Sequence, residues 1–479
     1  MNVKNPEKTC KRVTIVGLGR SGIGAARLLA DQGLQVTVTD CRKAEDIKNE
    51  LDLLPDGISF VAGGHPASVF EGVDMVVVSP GVPLHIDPLK ICRTKGIAVI
   101  GELELAYRST DLPFMAITGT NGKSTVTSLA GEMLNASGIS AFVGGNIGNS
   151  LCEGLTEIKQ EEKHGSQSTK WIVAEVSSFQ LETTELFSPR LAAVLNISPD
   201  HLDRYSSMDE YISAKTNIFK QQNKHDYLVL NADDPAVVSL AGLAPGEVVW
   251  FSSNSKVEAE GKKGVFLRDD ELCFHLDSRQ GKIIHQESIR IKGSHNLENA
   301  MAAACLALLA GVAPGVVAGV LRDFPGLEHR VEFVGSLGGV TYINDSKATN
   351  IGATEKSLQS FSEPVILIAG GFDKKTDFSL LLPEVSKRVK TLILIGETAE
   401  KLAAVLGSAS PVIFADDMDD AVQKADLAAV KGDIVLLSPA CASFDMFADF
   451  EDRGRKFKEA VRRLPQKKKM FIKAREVAI

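Results

Sequence analysis

The segment Phe114-Met-Ala-Ile-Thr-Gly-Thr-Asn-Gly-Lys-Ser-Thr125 carries the densest chemistry in the chain. An apolar run suited to a buried strand enters a glycine-rich turn, and Lys123-Ser-Thr opens a helix. Backbone N–H groups of such a turn, with those of the helix N-terminus, form a cradle for phosphate oxygens. Lys123 would then counter the charge of the β- and γ-phosphates, and Ser124 would reach a Mg²⁺ ion. The spacing departs from the usual phosphate loop, since Ile117 stands where the first glycine would be. The compact form still reads as a nucleotide-phosphate site rather than a glycine turn followed by lysine and serine by chance.

Near the start, Gly17-Leu-Gly-Arg-Ser-Gly22 follows a strand and opens a helix, with Asp40 ending the next strand. Alone, the pattern fits a dinucleotide-binding turn whose acidic residue meets a ribose. Tight strand-to-helix packing also selects glycines, so three readings stand: a nucleotide diphosphate, which is preferred, a nicotinamide dinucleotide, and packing. Glu175 ends the apolar run Trp171–Val176, where a carboxylate can bind Mg²⁺, and Asn196-Ile-Ser-Pro-Asp-His201 offers an imidazole after another strand. Each by itself is more simply a sheet-end carboxylate or a capping group. Two of them at strand ends beside a phosphate loop read as metal supports. Further polar clusters are Gly293–Asn299, His329-Arg330, Asn344–Asn350, Gly370–Lys374 and Ser438–Asp445, most of them after apolar strands. Cys441 has apolar flanks and no evident base, which favours a buried thiol over a nucleophile.

The elements that must position these residues follow from the alternation of short apolar runs with helical spacing. Strands are expected at Arg12–Gly17, Gln35–Asp40, Met75–Ser79, Ile97–Ile100, Phe114–Thr118, Trp171–Val176, Leu191–Ile197, Tyr227–Asn231 and Val248–Phe251. Val365–Ala369, Thr391–Ile395 and Ile434–Ser438 continue the series. Such alternation implies α/β architecture with parallel sheets and crossover helices. At 479 residues the chain has room for about three domains. Polar joints at Arg108–Pro113 and Asp323–Arg330 suggest domains at 1–110, 111–324 and 325–479. Ser252–Arg290 is charged and punctuated by glycine, and reads as a small antiparallel β insertion with strands at Gly264–Arg268 and Glu271–Leu276. Ala300–Leu321 lacks any charge, but Gly311, Pro314, Gly315 and Gly319 break it into two short buried helices rather than a membrane span. The basic end from Gln466 onward is assigned no function.

Composition narrows the function classes. Lys and Arg number 53 against 61 Asp and Glu, a net charge of −8, which argues against a polyanion-binding surface and so against nucleic acid as the main partner. Seven scattered cysteines without a C-x-x-C pair read as free thiols in a reducing compartment. The polar start, Met1–Arg12, is unlike a secretory signal. A soluble cytoplasmic protein is expected, without a membrane partner. Nothing in the sequence demands an oligomer, so a monomer is the expectation.

Taken together, the motifs resemble the Mur ligase family of peptidoglycan synthesis, in order and over nearly the whole chain. Thr118-Gly-Thr-Asn-Gly-Lys-Ser124 and Ser294-His-Asn296 are similar to marks of the family broadly. Asn344-Asp-Ser-Lys-Ala-Thr-Asn350 and Ser438-Pro-Ala-Cys-Ala-Ser443 resemble its D-glutamate-adding members, and no Asp-Asn-Pro-Arg occurs. The resemblance implies a Rossmann-like N-terminal domain, a P-loop mononucleotide-binding central domain and a Rossmann-like C-terminal domain. It also implies ATP-dependent amide formation. The L-alanine carboxylate of UDP-N-acetylmuramoyl-L-alanine is phosphorylated, and D-glutamate attacks the acyl phosphate through a tetrahedral intermediate.

The family likeness recasts the first glycines as a UDP site, with Ser21, Asp40, Arg42, Asn146 and His201 meeting the nucleotide sugar. Gly119, Thr120, Asn121, Gly122, Lys123, Ser124 and Thr125 would hold the ATP phosphates, with Asn296, Arg330 and Asp345 elsewhere around ATP. Lys347, Thr349, Lys374, Ser443 and Phe450 fall where D-glutamate binds, Phe450 through its backbone amide. Two Mg²⁺ ions are implied, one on Ser124 and Glu175, the other on His201 and a carbamylated Lys215. Lys123, Glu175, His201 and Lys215 are the implied catalytic set. The residues alone would make Lys215, in Tyr211-Ile-Ser-Ala-Lys-Thr-Asn217, a surface helix position. Three rivals remain. A different Mur-type or a folylpolyglutamate-type ligase conflicts with Asn344–Asn350. An NAD(P)-dependent oxidoreductase leaves the phosphate loop and Glu175 unexplained. A non-catalytic ATP-binding module would retain the same residues without using them.

Overall fold

The structure, a computed structural model, describes residues 10–163, 168–200, 204–254, 260–373 and 376–476. Among them the backbone forms three sheets within two compact units. One unit comprises residues 1–197, 207–289 and 298–323, and the other 198–206, 290–297 and 324–479. The first unit holds two of the sheets.

Its first sheet is built from β1 (Arg12–Val16), β2 (Gln35–Asp40), β3 (Ser59–Ala62), β4 (Met75–Val78) and β5 (Ala98–Gly101), in the order β3-β2-β1-β4-β5. All pairs are parallel. Val13, Ile15, Val16, Val76 and Val78 are buried, as helices on both faces of a parallel sheet require. Each such side chain contributes roughly 1.5–3 kcal/mol relative to exposure. The strand order reverses between β1 and β4, the place where open α/β sheets bind ligands. There Gly17 takes φ +96°. A Cβ on Gly22 would lie 2.1 Å from the Gly17 carbonyl oxygen, so this turn-to-helix approach demands glycine.

The second sheet runs β14-β13-β12-β11-β10-β9-β6-β8-β7. Its strands are β6 (Phe114–Thr118), β7 (Ala141–Gly145), β8 (Trp171–Glu175), β9 (Leu191–Val194), β10 (Tyr227–Asn231), β11 (Glu247–Ser252), β12 (Gly264–Arg268), β13 (Glu271–Leu276) and β14 (Arg279–His285). The Ser252–Arg290 segment is therefore not a separate small sheet. β12 pairs parallel with β11, Trp250 facing Gly264, and the antiparallel β13 and β14 extend the same sheet. β14 escaped the sequence reading because most of its residues are exposed and polar, leaving no apolar run to detect. The charge-free stretch does form two helices, Ser294–Leu309 and Pro314–Asp323, separated at Gly311 with φ +93°. No helix among the described residues is long and apolar enough to cross a membrane.

The helix Glu102–Arg108 joins the two sheets and is buried along its length. The Glu104 carboxylate accepts the backbone N–H groups of Glu185, Leu186 and Phe187 at 2.9–3.0 Å, and Arg108 Nε at 2.7 Å. One turn earlier, Glu102 accepts the N–H of Cys152 at 2.6 Å, at the start of the helix Leu151–Lys163. The rings of Tyr107, Phe114 and Phe187 meet edge-to-face beside this joint.

In the second unit the sheet order is β15-β16-β20-β17-β18-β19. The strands are β15 (Glu332–Leu337), β16 (Val340–Asn344), β17 (Val365–Ala369), β18 (Val389–Leu394), β19 (Val412–Phe414) and β20 (Ile434–Leu437). All pairs are parallel except β15 on β16. Buried apolar residues from β17, β18 and β20 pack on both faces against the flanking helices.

Candidate functional site

The order β9-β6-β8-β7 brings four strand ends side by side. They carry Asn196, the phosphate loop, Glu175 and Asn146. Gly119 (φ +156°) and Gly122 (φ +86°) turn the loop into the helix Lys123–Ala136. Asn196 fastens the loop. Its carbonyl accepts Thr120 N–H at 2.9 Å, its Oδ1 accepts Asn121 N–H at 2.8 Å, and its Nδ2 donates to Asn121 O at 3.0 Å.

Lys123 Nζ donates to the carbonyls of Gly119 at 2.9 Å and Thr120 at 2.8 Å. Lys215 is not on the surface. Only 1% exposed, it donates to Gly119 O at 3.0 Å and stands 4.6 Å from the centre of the Tyr211 ring. Tyr211 OH in turn lies 3.3 Å from Thr120 Oγ1. Two lysines thus converge on one loop.

Glu175 is 2% exposed at the end of β8. Its Oε1 accepts Asn146 Nδ2 at 2.7 Å, and its backbone oxygen accepts Asn146 N–H at 3.0 Å. Its Oε2 is buried and has no hydrogen-bond partner among the described residues, and the same holds for Thr125 Oγ1. Ser124 is buried in the first helical turn. An orphaned carboxylate oxygen and a nearby class of hard oxygen donors suit a Mg²⁺ ion better than a soft metal. His201 lies outside the described residues, as does Lys374.

At the end of the first sheet, Ser21 is half-buried in the opening turn of the helix Arg20–Asp31. Asp40 is buried and accepts four hydrogen bonds. Oδ1 takes Arg42 N–H at 2.9 Å and Arg42 Nε at 3.1 Å, and Oδ2 takes Leu18 N–H at 2.8 Å and Arg42 Nη2 at 3.0 Å. Burial alone would raise the Asp40 pKa, but the Arg42 guanidinium and the two amides outweigh it and hold the carboxyl at about 2. Arg42 Nη2 also donates to Leu18 O at 2.9 Å, so the pair staples the glycine turn.

In the second unit the order β16-β20-β17 places the three polar clusters after Asn344, Leu437 and Ala369 next to one another. Asp345 is buried. It accepts Val331 N–H at 3.2 Å, Ser438 Oγ at 3.0 Å and the Ser357 hydroxyl. Burial lifts its pKa to about 6 against the pull of those donors and Arg330. Arg330 Nε is buried without a partner among the described residues. Asn296 Nδ2 donates to Lys292 O at 2.8 Å. Burial, aided by the charges of Arg330 and Lys356, pushes neighbouring His295 down to about 4.

Lys347 Nζ lies 5.1 Å from the centre of the Phe450 ring, and Thr349 N–H donates to Lys347 O at 2.9 Å. Ser443 is buried, and its carbonyl accepts the N–H groups of Met446 and Phe447. Cys441 is a buried thiol pushed up to about 11 by burial, as its flanks suggested.

Sequence reasoning missed Arg453. Its guanidinium, buried, donates to Ser346 Oγ, Ser346 O, Cys441 O and Ala442 O at 2.8–3.2 Å, tying the loop after β16 to the loop after β20. In the sequence it is one cation among several in a charged helix, so no signal marked it. Glu328, His329 and Glu332 lie close enough to hold a metal ion. However, Lys458 already hydrogen-bonds both carboxylates, and His329 Nδ1 faces Asn344 Nδ2 at 2.8 Å. That cluster is an ion-pair joint.

The chain matches the profiles of the Mur ligase MurD-like N-terminal domain over residues 11–101, the Mur ligase middle domain over 117–307 and the Mur ligase glutamate ligase domain over 329–441. It is 43% identical over 460 residues to a UDP-N-acetylmuramoylalanine–D-glutamate ligase of Koribacter versatilis, covering 96% of this chain and 99% of that one. A relative of the same description from Acidobacterium capsulatum is 44% identical over 454 residues, covering 94% and 96%. Among solved structures, a pseudomurein peptide ligase type C from Methanothermus fervidus superposes with a TM-score of 0.58 at 20% identity, covering 95% of this chain and 100% of that one. The UDP-N-acetylmuramate-alanine ligase of Thermotoga maritima gives 0.57 at 19%, covering 94% and 99%. The two structures share the fold; the sequence relatives, matched end to end, go further, and the chain belongs to the Mur ligase family.

Proposed function

We propose that this ligase joins D-glutamate to UDP-N-acetylmuramoyl-L-alanine, with ATP supplying the activation, in cytoplasmic synthesis of a peptidoglycan precursor. A carboxylate is a poor electrophile, so its oxygen first takes the γ-phosphoryl group of ATP. The amine of D-glutamate then adds to the acyl-phosphate carbon, and inorganic phosphate leaves the tetrahedral intermediate. Phosphoryl transfer asks the protein mainly for positioning and charge neutralisation.

The observation that carries the reading is the strand-end cluster of the second sheet. Two lysines converge on the phosphate loop there, and a buried carboxylate oxygen of Glu175 has no hydrogen-bond partner among the described residues. On this reading the loop amides from Gly119 to Thr125 and Lys123 hold the ATP phosphates, and Lys123 exchanges its loop carbonyls for phosphate oxygens. Asn146 and His201 orient the nucleotide sugar, and Ser21, Asp40 and Arg42 serve its UDP end. Asn296, Arg330 and Asp345 complete the ATP contacts. Lys347, Thr349, Lys374, Ser443 and the Phe450 amide receive the two carboxylates of D-glutamate, as cations and hydroxyls would.

Bound Mg²⁺, two ions on Ser124, Glu175, His201 and an N-carboxylated Lys215, would neutralise charge on the transferring phosphoryl group. A bare ammonium would repel a cation, whereas a carbamate formed on the buried Lys215 would be an anionic oxygen ligand. The corresponding division of labour is residues 1–110 for UDP, 111–324 for ATP and 325–479 for the amino acid, in a monomer.

The test is phosphate release from ATP and Mg²⁺ in the presence of UDP-N-acetylmuramoyl-L-alanine, with D-glutamate, L-glutamate, diaminopimelate and L-lysine offered in parallel. Release that needs both the nucleotide sugar and D-glutamate is expected. Turnover with another amino acid would overturn the assignment of the acceptor pocket, and phosphate release indifferent to amino acids would overturn the ligase reading.

A further inference from the structure

A uridine diphosphate presents hydrogen-bond donors, the imide N–H of the base and the ribose hydroxyls, that need acceptors on the protein. The strand-end acid of a nucleotide-binding sheet is the usual acceptor. Here both oxygens of Asp40 are already filled, two donors each, by Leu18 and Arg42. A carboxylate accepts about four hydrogen bonds, so little capacity is left. A second acceptor beside it would serve the donors that Asp40 leaves over.

The loop after β3 supplies one. Gly63 N–H donates to Arg42 O at 2.9 Å and Gly64 N–H to Asp40 O at 3.1 Å, which lays the loop against the Asp40–Arg42 turn. The next residue is His65, half-buried, with Nδ1 3.2 Å from Thr39 Oγ1. The tautomer follows from counting protons. Thr39 Oγ1 has one hydrogen, and it is committed to the Gly64 carbonyl at 2.7 Å. The threonine oxygen can therefore only accept from the ring, so Nδ1 carries the proton and Nε2 keeps its lone pair. Nε2 has no hydrogen-bond partner among the described residues. Burial lowers the His65 pKa, and although Asp40 pulls the other way the net direction favours the neutral ring.

We infer that His65 is a specificity-determining residue of the nucleotide-sugar site, accepting through Nε2 a hydrogen bond from uridine. The inference rests on the proposal that the end of the first sheet binds UDP. Two donors qualify, the N3–H of uracil and a ribose hydroxyl, and they share one acceptor chemistry.

The experiment is calorimetric titration of the full chain with UDP, CDP, which lacks the N3 hydrogen, and 2′-deoxy-UDP. Wild type is compared with His65→Ala, His65→Gln and Arg42→Ala. A neutral hydrogen bond to a ligand is worth about 3- to 10-fold in affinity. His65→Ala should lose that factor for UDP, and its discrimination against one of the two analogues should fall by the same factor, naming the donor. His65→Gln, with an amide oxygen as acceptor, should recover part of it. In turnover, the KM for the nucleotide sugar should rise while kcat and the KM values for ATP and D-glutamate hold.

Nitrogen-15 spectra of labelled wild-type protein should show a pyrrole-like Nδ1 and a pyridine-like Nε2 for His65. A protonated Nε2, or lost affinity with discrimination against both analogues intact, would overturn the inference and leave a structural histidine. Unchanged UDP affinity in His65→Ala beside a loss in Arg42→Ala would sink this inference alone. If Arg42→Ala also bound UDP as wild type does, the UDP reading itself would fall.

Discussion

Glu175 is held on one oxygen and open on the other, and that asymmetry sets what its replacement should do. In Glu175→Gln the side-chain oxygen can still accept from Asn146, so the strand end keeps its shape while the charge disappears. Losing several kcal/mol of charge stabilisation in phosphoryl transfer corresponds to a kcat lower by about 10²-fold or more. The melting temperature should move by no more than a few degrees. Steady-state kinetics beside a thermal melt checks this, and a collapse of stability in place of activity would make Glu175 structural. At this scale the sequence was legible where the chemistry is local. Lys123 and Ser124 announce themselves because the turn that places them is contiguous. Asn196 and Glu104 do not, because their partners lie 75 to 83 residues away and each is a common polar residue until the fold closes. Lys215 was legible as a family position only; spacing on its helix gave no hint that it points inward.

The helix Glu102–Arg108 gathers two buried carboxylates with opposite prospects. Glu104 is answered by three amides and Arg108. Its replacement by Gln should destabilise the chain by about 3 kcal/mol, the scale for stranding one member of a buried charged pair. Denaturant unfolding reads that loss directly. Glu102 has a single strong donor in the Cys152 amide, and its second oxygen is buried without a partner among the described residues. Burial raises its pKa to about 7, against an ordinary glutamate value in the unfolded chain. The folded state therefore holds this proton more tightly than the unfolded state. Its contribution is fully present below the unfolded pKa, about 4.3, and is lost as pH rises through about 7. Glu102→Gln should flatten that part of the stability profile between pH 5 and 8, with the variant gaining on wild type at the alkaline end. Urea midpoints at four pH values suffice to check it. Most elements were legible from apolar runs, and five of the six strands not expected, β3, β7, β14, β15 and β19, lie at sheet edges, while the sixth, β16, lies inside its sheet. β14 and β15 show little buried apolar surface because each lies at a sheet edge. Edge strands are held by backbone pairing, which leaves no mark in side-chain type.

Across the whole molecule, alternation of strand and helix was enough to foresee α/β architecture, and the breaks in the charge-free stretch were enough to reject a membrane span. The joining of the β12–β14 segment to the main sheet was not foreseen, since parallel pairing of Gly264 beside Trp250 is a tertiary choice made across a polar connection. The distribution of the seven thiols is a whole-molecule property too. Cys92, Cys152, Cys273, Cys305 and Cys441 are buried, Cys10 is half-buried and Cys41 is exposed. Cys41 stands between Asp40 and Arg42, the two residues that shape the glycine turn of the first sheet. An alkylating reagent offered to the folded protein should therefore mark Cys41 first, and saturating UDP should slow that labelling several-fold, read by peptide mass. The chain thus carries its own footprinting handle: an environment-sensitive dye placed there would report the filling of the nucleotide end in real time, with no engineered cysteine and with the phosphate loop left untouched.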